Sequence, residues 1–191
     1  MHIFNSLNTN ENLSLALGFF DGLHLGHRSV IESAVNYAKQ NNTQSAVITF
    51  QEHPCCYLYD LEPKYIIKRG DKIKMMEDMG VDYLYFLNFD ANMAKMSGEE
   101  YLRDIIIKHF SPVAISTGFN HKFGAEKLSG VNLLDDMQQK YGYKYFEVPP
   151  VKVDETIISS TEIRNNLAQG NIEKVNAMLG YTYSLEEIVV F

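Results

Sequence analysis

Five short apolar runs, each followed by a helix-length segment, constrain this chain more than any other feature. LSLALGFF (13–20), QSAVITF (44–50), VDYLYFLNF (81–89), VAISTG (113–118) and YKYFEV (143–148) read as strands. Between the first two, HRSVIESAVNYAKQ (27–40) carries Val30, Ile31, Ala34, Val35 and Ala38 as a helical stripe. GDKIKMMEDMG (70–80) reads as a short helix closed by Gly80, and VNLLDDMQQKYG (131–142) is helical. SGEEYLRDIIIKHF (97–110) opens with Ser97 and Glu100 in capping-box spacing. Strand, helix, strand at this spacing implies parallel pairing through crossover helices. The near-continuous apolar strands imply a sheet covered on both faces. An open, doubly wound parallel α/β sheet is therefore expected. From Ser159 onward, SSTEIRNNLAQG and NIEKVNAMLG predict a short C-terminal helical segment, each helix ending near a glycine.

A chain of 191 residues suits one domain over 1–191 with a real core, and 46% hydrophobic residues make disorder a poor alternative. Seventeen basic against 24 acidic side chains give −7, which argues against a broad nucleic-acid or anionic-membrane surface. A small phosphate pocket needs only a few local donors and stays compatible. No apolar run approaches the ~20 residues of a membrane span. The opening MHIFNSLNTNENL lacks the basic-then-apolar order of a secretory signal. Cys55 and Cys56 are adjacent, which suits neither a disulfide with each other nor a structural zinc site. A cytoplasmic location is expected. The sequence sets no oligomeric state.

In a doubly wound sheet, ligands bind beyond the carboxyl ends of the strands. The polar chemistry of this chain gathers there. GFFDGLHLGH (18–27) follows the first strand and leads into a helix, whose N-terminus offers free N–H groups and positive partial charge. His24 and His27 in H-x-G-H spacing suit a phosphoryl group better than a metal, since no third ligand stands close in sequence. A strand-to-helix turn with two satisfied histidines is the alternative. ISSTEIR (158–164) starts a second helix, with Ser159 and Glu162 in capping-box spacing and Arg164 offering a fork of donors for phosphate oxygens. A well-capped helix with a solvated arginine is the alternative there. In TFQEHP (49–54), Phe50 and Pro54 can wall a flat aromatic ligand or pack a loop. In GFNHKFG (118–124), Asn120 can read a base or phosphate and Phe123 can stack, or the segment is a tight turn.

In order and spacing, these four motifs resemble the FMN adenylyltransferase module of prokaryotic bifunctional riboflavin kinase/FAD synthetases, which belongs to the HxGH nucleotidylyltransferases. The resemblance runs from about Leu15 to Val190. It implies a Rossmann-like sheet of the nucleotidylyltransferase type and transfer of AMP from ATP to FMN, giving FAD and pyrophosphate, with Mg2+. His24 and His27 are implied to hold ATP phosphate oxygens, with Ser159, Ser160, Thr161 and Arg164 gripping the phosphates from the second helix. His24, His27 and Arg164 form the implied catalytic set. The backbone of Gly18, Phe19, Phe20, Asp21 and Gly22 is implied to line the nucleotide, and Asn120 to contact it. Phe50, Pro54 and Phe123 match positions bordering the flavin. The resemblance assigns no metal ligands in this chain.

The chain departs from the family pattern at named places. Phe19 replaces the asparagine of GNFDG, Glu52 a proline of TFEPHP, Tyr181 the arginine of LGRPY, and His121 a phenylalanine. IIKRG stands where a Leu-Thr pair is usual. Glu187 stands where family members carry a glycine leading into a riboflavin kinase domain, and no such domain is expected here. These departures keep two alternatives open: a flavin- or nucleotide-binding module with weakened catalysis, and a nucleotidylyltransferase for another phosphorylated acceptor.

Overall fold

The computed structural model describes residues 1–7, 12–60, 62–125 and 130–184. Its frame is a six-stranded sheet: β1 (His2–Phe4), β2 (Leu13–Leu17), β3 (Gln44–Phe50), β4 (Tyr83–Leu87), β5 (Ala114–Gly118) and β6 (Lys144–Val148). The spatial order is β1-β4-β3-β2-β5-β6, and every pairing is parallel. The chain winds outward from β2 to β3 and β4, then returns past β2 to β5 and β6. The order thus reverses between β2 and β5, which opens a crevice at their carboxyl ends.

The winding follows from the strands' own alternation. All five residues of β2 are buried. Leu13, Leu15 and Leu17 join Ile48, Tyr85, Leu87 and Ile115 in a core on one face of the sheet. That face is covered by α6 (Gly130–Tyr141) and by the helical segment α4 (Gly98–Glu100), a π-helical stretch (Tyr101–Ile107) and α5 (Lys108–Phe110). Ala16, Val47, Leu84 and Phe86 face the other side. They meet Val30, Ile31, Ala34 and Val35 of α1 (Leu25–Gln40) and Met76 of α3 (Arg69–Asp78). A hydrogen bond of 2.9 Å between Ser33 Oγ and Ser116 Oγ joins α1 to β5 inside this apolar layer. A third cluster carries α7 (Ser160–Ala168) and α8 (Ile172–Leu179), with Ile66, Ile158, Ile163, Val175, Met178 and Leu179 buried together. Among the described residues, no helix is long and apolar enough to cross a membrane.

The expected strands and helices all form, with shifted ends. The first strand stops at Leu17 rather than Phe20, because Phe20 takes φ +57 and leaves the extended region. Its helix starts at Leu25, two residues early, because His24 supplies the cap. The Ser97–Glu100 capping box forms in both directions. The wider π-helical turn that follows had no signal in the sequence. Four elements were not anticipated: the edge strand β1, the short helix α2 (Pro54–Tyr59), a 3-10 turn at Met93–Lys95, and a hairpin of β7 (Lys152–Val153) and β8 (Thr156–Ile157). Each has six residues or fewer, too short for a periodic pattern to show. The closing LEEIVVF, with Glu187, lies outside the described residues.

Candidate active site

The loop from β2 to α1 is built on three special positions. Phe20, Gly22 and Leu23 have φ of +57, +83 and +39. A β-carbon on Gly22 would also stand 3.0 Å from Ile66 Cγ2, so this turn needs glycine both for conformation and for space. The two phenylalanines of the loop diverge. Phe20 is buried in the α1-side core. The Phe19 ring lies edge-on to His53, with centroids 4.6 Å apart, and reaches Tyr65 at 6.0 Å.

His24 ends the loop as the cap of α1. Its Nδ1 accepts the His27 backbone N–H at 3.2 Å. A neutral imidazole that accepts at Nδ1 carries its proton on Nε2, which leaves a donor for a ligand. The rings of His24 and His27 stack with centroids 3.5 Å apart. His27 Nδ1 is buried and has no partner among the described residues. Burial lowers the His24 pKa to about 4. Burial, the adjacent His24 and the Lys72 ammonium push His27 well below the ordinary histidine range. Both rings are thus neutral at pH 7 in the unliganded protein, and act as N–H donors rather than as cations.

Asp21 sits beneath the loop. Its Oδ1 accepts the Ile66 N–H at 2.9 Å, and its Oδ2 pairs with the Arg164 guanidinium. Arg164 Nε also donates to the Lys64 carbonyl at 2.8 Å. Ser160 Oγ donates to the Asp21 carbonyl at 3.0 Å, and Ser159 Oγ caps α7 by accepting the Glu162 N–H at 3.1 Å. The return half of that expected capping box is replaced, since the Glu162 carboxylate accepts from Asn166 Nδ2 at 2.8 Å. These bonds fasten the starts of α1 and α7 side by side. Two helix N-termini, each with free N–H groups and a positive dipole end, are thereby brought together.

They open onto a cavity of about 620 Å³ at the carboxyl ends of the strands. That size suits a cofactor or nucleotide. Gly18, Phe19, Phe20, His24, His27, Phe50, Pro54, Asn120, Phe123, Ser159, Ser160 and Thr161 all line it. So residues from four motifs, up to 143 positions apart in the case of Gly18 and Thr161, share one wall. Asp21, Gly22 and Arg164 are not on the wall; Arg164 braces the loop through Asp21. Phe123 packs against Tyr101, with centroids 5.4 Å apart. Phe50 meets Phe89 edge-on at 5.7 Å, and both belong to the lining.

The departures from the family pattern find definite places. Tyr181 donates its hydroxyl to the Gly22 carbonyl at 2.9 Å, and its ring lies 5.4 Å from the Arg28 guanidinium. Glu52 is exposed and is not part of the cavity wall. His121 does line the wall, and burial lowers its pKa to about 4. Sequence reasoning missed Lys72 altogether. This α3 lysine is buried behind Phe19, with Nζ bonded to the Phe19 carbonyl and, at 3.2 Å, to Thr49 Oγ1. A signal existed: Lys72 stands four residues before Met76, on the one stripe of α3 that is buried.

The sequence model of the FAD synthetase family matches residues 6–162. A bifunctional riboflavin kinase/FMN adenylyltransferase of Listeria monocytogenes is 34% identical over 188 residues, covering 95% of this chain and 58% of the relative. An FAD synthetase of the same organism is 30% identical over 178 residues, covering 92% of this chain and 71% of the relative. The crystal structure of a macrolide-efflux protein from Streptococcus pneumoniae superposes with a TM-score of 0.82 at 26% identity, over 96% of this chain and 72% of that one. This chain therefore spans less than two thirds of the bifunctional relative's length.

Proposed function

Because the chain belongs to the FAD synthetase family, we propose that it is an FMN adenylyltransferase, joining FMN to the AMP part of ATP. The observation that carries this reading is the shared wall: His24 and His27 at the start of α1, and Ser159, Ser160 and Thr161 at the start of α7, face one cavity. In the reaction, an FMN phosphate oxygen attacks the α-phosphorus of ATP. A new P–O–P bond forms, the bond to the β-phosphate breaks, and its electron pair leaves with pyrophosphate. No side chain needs covalent modification, so the protein contributes positioning and charge stabilisation. His24 and His27 donate to phosphate oxygens as negative charge shifts onto the leaving group, and the α7 N-terminus receives the phosphates. Arg164, held by Asp21 and the Lys64 carbonyl, adds positive charge from beneath. Asn120 contacts the nucleotide. Phe50, Pro54 and Phe123 give the flavin ring its apolar walls.

Among the described residues, no three His, Cys, Asp or Glu side chains converge as a cation cage. The Asp21 carboxylate is engaged by Ile66 and Arg164. These residues form no protein cage for magnesium, and the ion enters the reaction with the ATP phosphates. A cavity for ATP and FMN agrees with a small-molecule enzyme of the cytoplasm rather than a nucleic-acid binder. The 1–191 unit is proposed to carry adenylyl transfer.

Purified protein given FMN, ATP and magnesium should form FAD and release one pyrophosphate per FAD. Binding of both substrates without FAD over prolonged incubation would sink the reading.

A further inference from the structure

We propose, resting on the adenylyl-transfer reading above, that Lys72 is a positioning residue: it holds the Phe19 carbonyl back so that the Phe20 N–H faces the bound phosphates. The Phe19 carbonyl accepts from Lys72 Nζ and, at 2.9 Å, from Thr49 Oγ1. In a trans peptide the carbonyl and the next N–H point in opposite directions. With its carbonyl fastened toward α3 and β3, the 19–20 peptide turns its N–H the other way. Phe19 and Phe20 both line the cavity, and the Phe20 N–H has no partner among the described residues.

A purely packing role explains Lys72 poorly. Its side chain is 6% exposed, and among the described residues no carboxylate stands within ion-pair distance. The Phe19 and Phe86 rings lie 4.7 and 6.0 Å from Nζ. Burying an ammonium in such surroundings carries a desolvation cost that a neutral side chain of the same length avoids. The charge is in the right place to act through the loop, because its ammonium bonds the carbonyl of Phe19, and Phe19 and Phe20 line the cavity.

Lys72→Met keeps the stem and removes the charge and the donors. The variant should stay folded on thermal unfolding. Its kcat, or its binding of ATP with magnesium by calorimetry, should fall roughly tenfold to a hundredfold, while KM for FMN stays within about twofold. Thr49→Val should show the same split, at about threefold to tenfold. Unchanged kcat and ATP binding in Lys72→Met would overturn the proposal, as would a parallel loss for ATP and FMN. Should Lys72→Met fail to fold, the ATP-against-FMN split in Thr49→Val decides instead. If the unsubstituted protein binds ATP but makes no FAD, the adenylyl-transfer reading fails, and the comparison of ATP binding still judges Lys72.

Discussion

His24 has two tasks that a substitution can separate. Its Nδ1 caps α1, and in the proposed reaction its Nε2–H donates to phosphate. Asparagine is as good a cap but has no imidazole. His24→Asn should therefore keep stability within about 0.5 kcal/mol of the parent, whereas His24→Ala should cost about 1 kcal/mol. Both should slow turnover, and His27→Ala should slow it by roughly 10²–10³ with the fold intact. Denaturant midpoints alongside kcat give the comparison, and unchanged turnover in His27→Ala would refute its role. The histidines were legible because their spacing from a glycine-rich turn is local. Lys72 was not, because its importance comes from contacts with Phe19 and Thr49, 53 and 23 residues away.

At the scale of elements, the site depends on how the β2–α1 loop is pinned to its neighbours. Gly22 is pinned on two sides. Ile66 leaves no room for a β-carbon, and Tyr181, just past α8, bonds its carbonyl. Gly22→Ala should cost about 1–3 kcal/mol, from a left-handed conformation and the Ile66 contact together. Tyr181→Phe should cost about 0.5–1.5 kcal/mol, the ordinary worth of one hydrogen bond. It should also weaken ATP binding more than FMN binding, because the bond ends on the loop proposed to line the nucleotide. Equal weakening of both would show that Tyr181 only fastens the C-terminal helices. The element boundaries follow the same logic. Capping residues such as Ser97 and Ser159 announced helix starts, but neither the His24 cap nor the positive φ at Phe20 can be read from the residue type alone.

For the whole molecule, buried titrating groups make stability depend on pH in two windows. The folded His24 pKa of about 4 lies below the ~6.5 of an unfolded histidine. Between those values the unfolded chain binds the extra proton, so stability is lost as pH falls from about 6.5 toward 4. Lys72 acts at the other end. Burial and the Arg69 charge lower its pKa to about 8, with Asp21 opposing, against ~10.4 when unfolded. The charged form is thus penalised below pH 8, and the penalty is relieved as pH rises toward 10, by up to ~3 kcal/mol. Lys72→Met should remove this rise, so the parent should gain stability relative to the variant from pH 7 to pH 10 in urea titrations. A constant difference would show that Lys72 is not desolvated as described.

The amino-acid sequence by itself determined the doubly wound sheet, because alternation of apolar runs with helical stripes is a local pattern repeated along the chain. It also determined which four loops carry polar chemistry, since strand ends and glycine turns are marked in place. Only the tertiary structure decided how those loops meet. It put Asp21 and Arg164 beneath the loop rather than on the cavity wall, sent Glu52 to solvent, and set Tyr181 and Lys72 against the loop's backbone. The reason is that each of these placements depends on a partner far away in sequence. No local spacing encodes which long-range neighbour a side chain finds when the sheet closes.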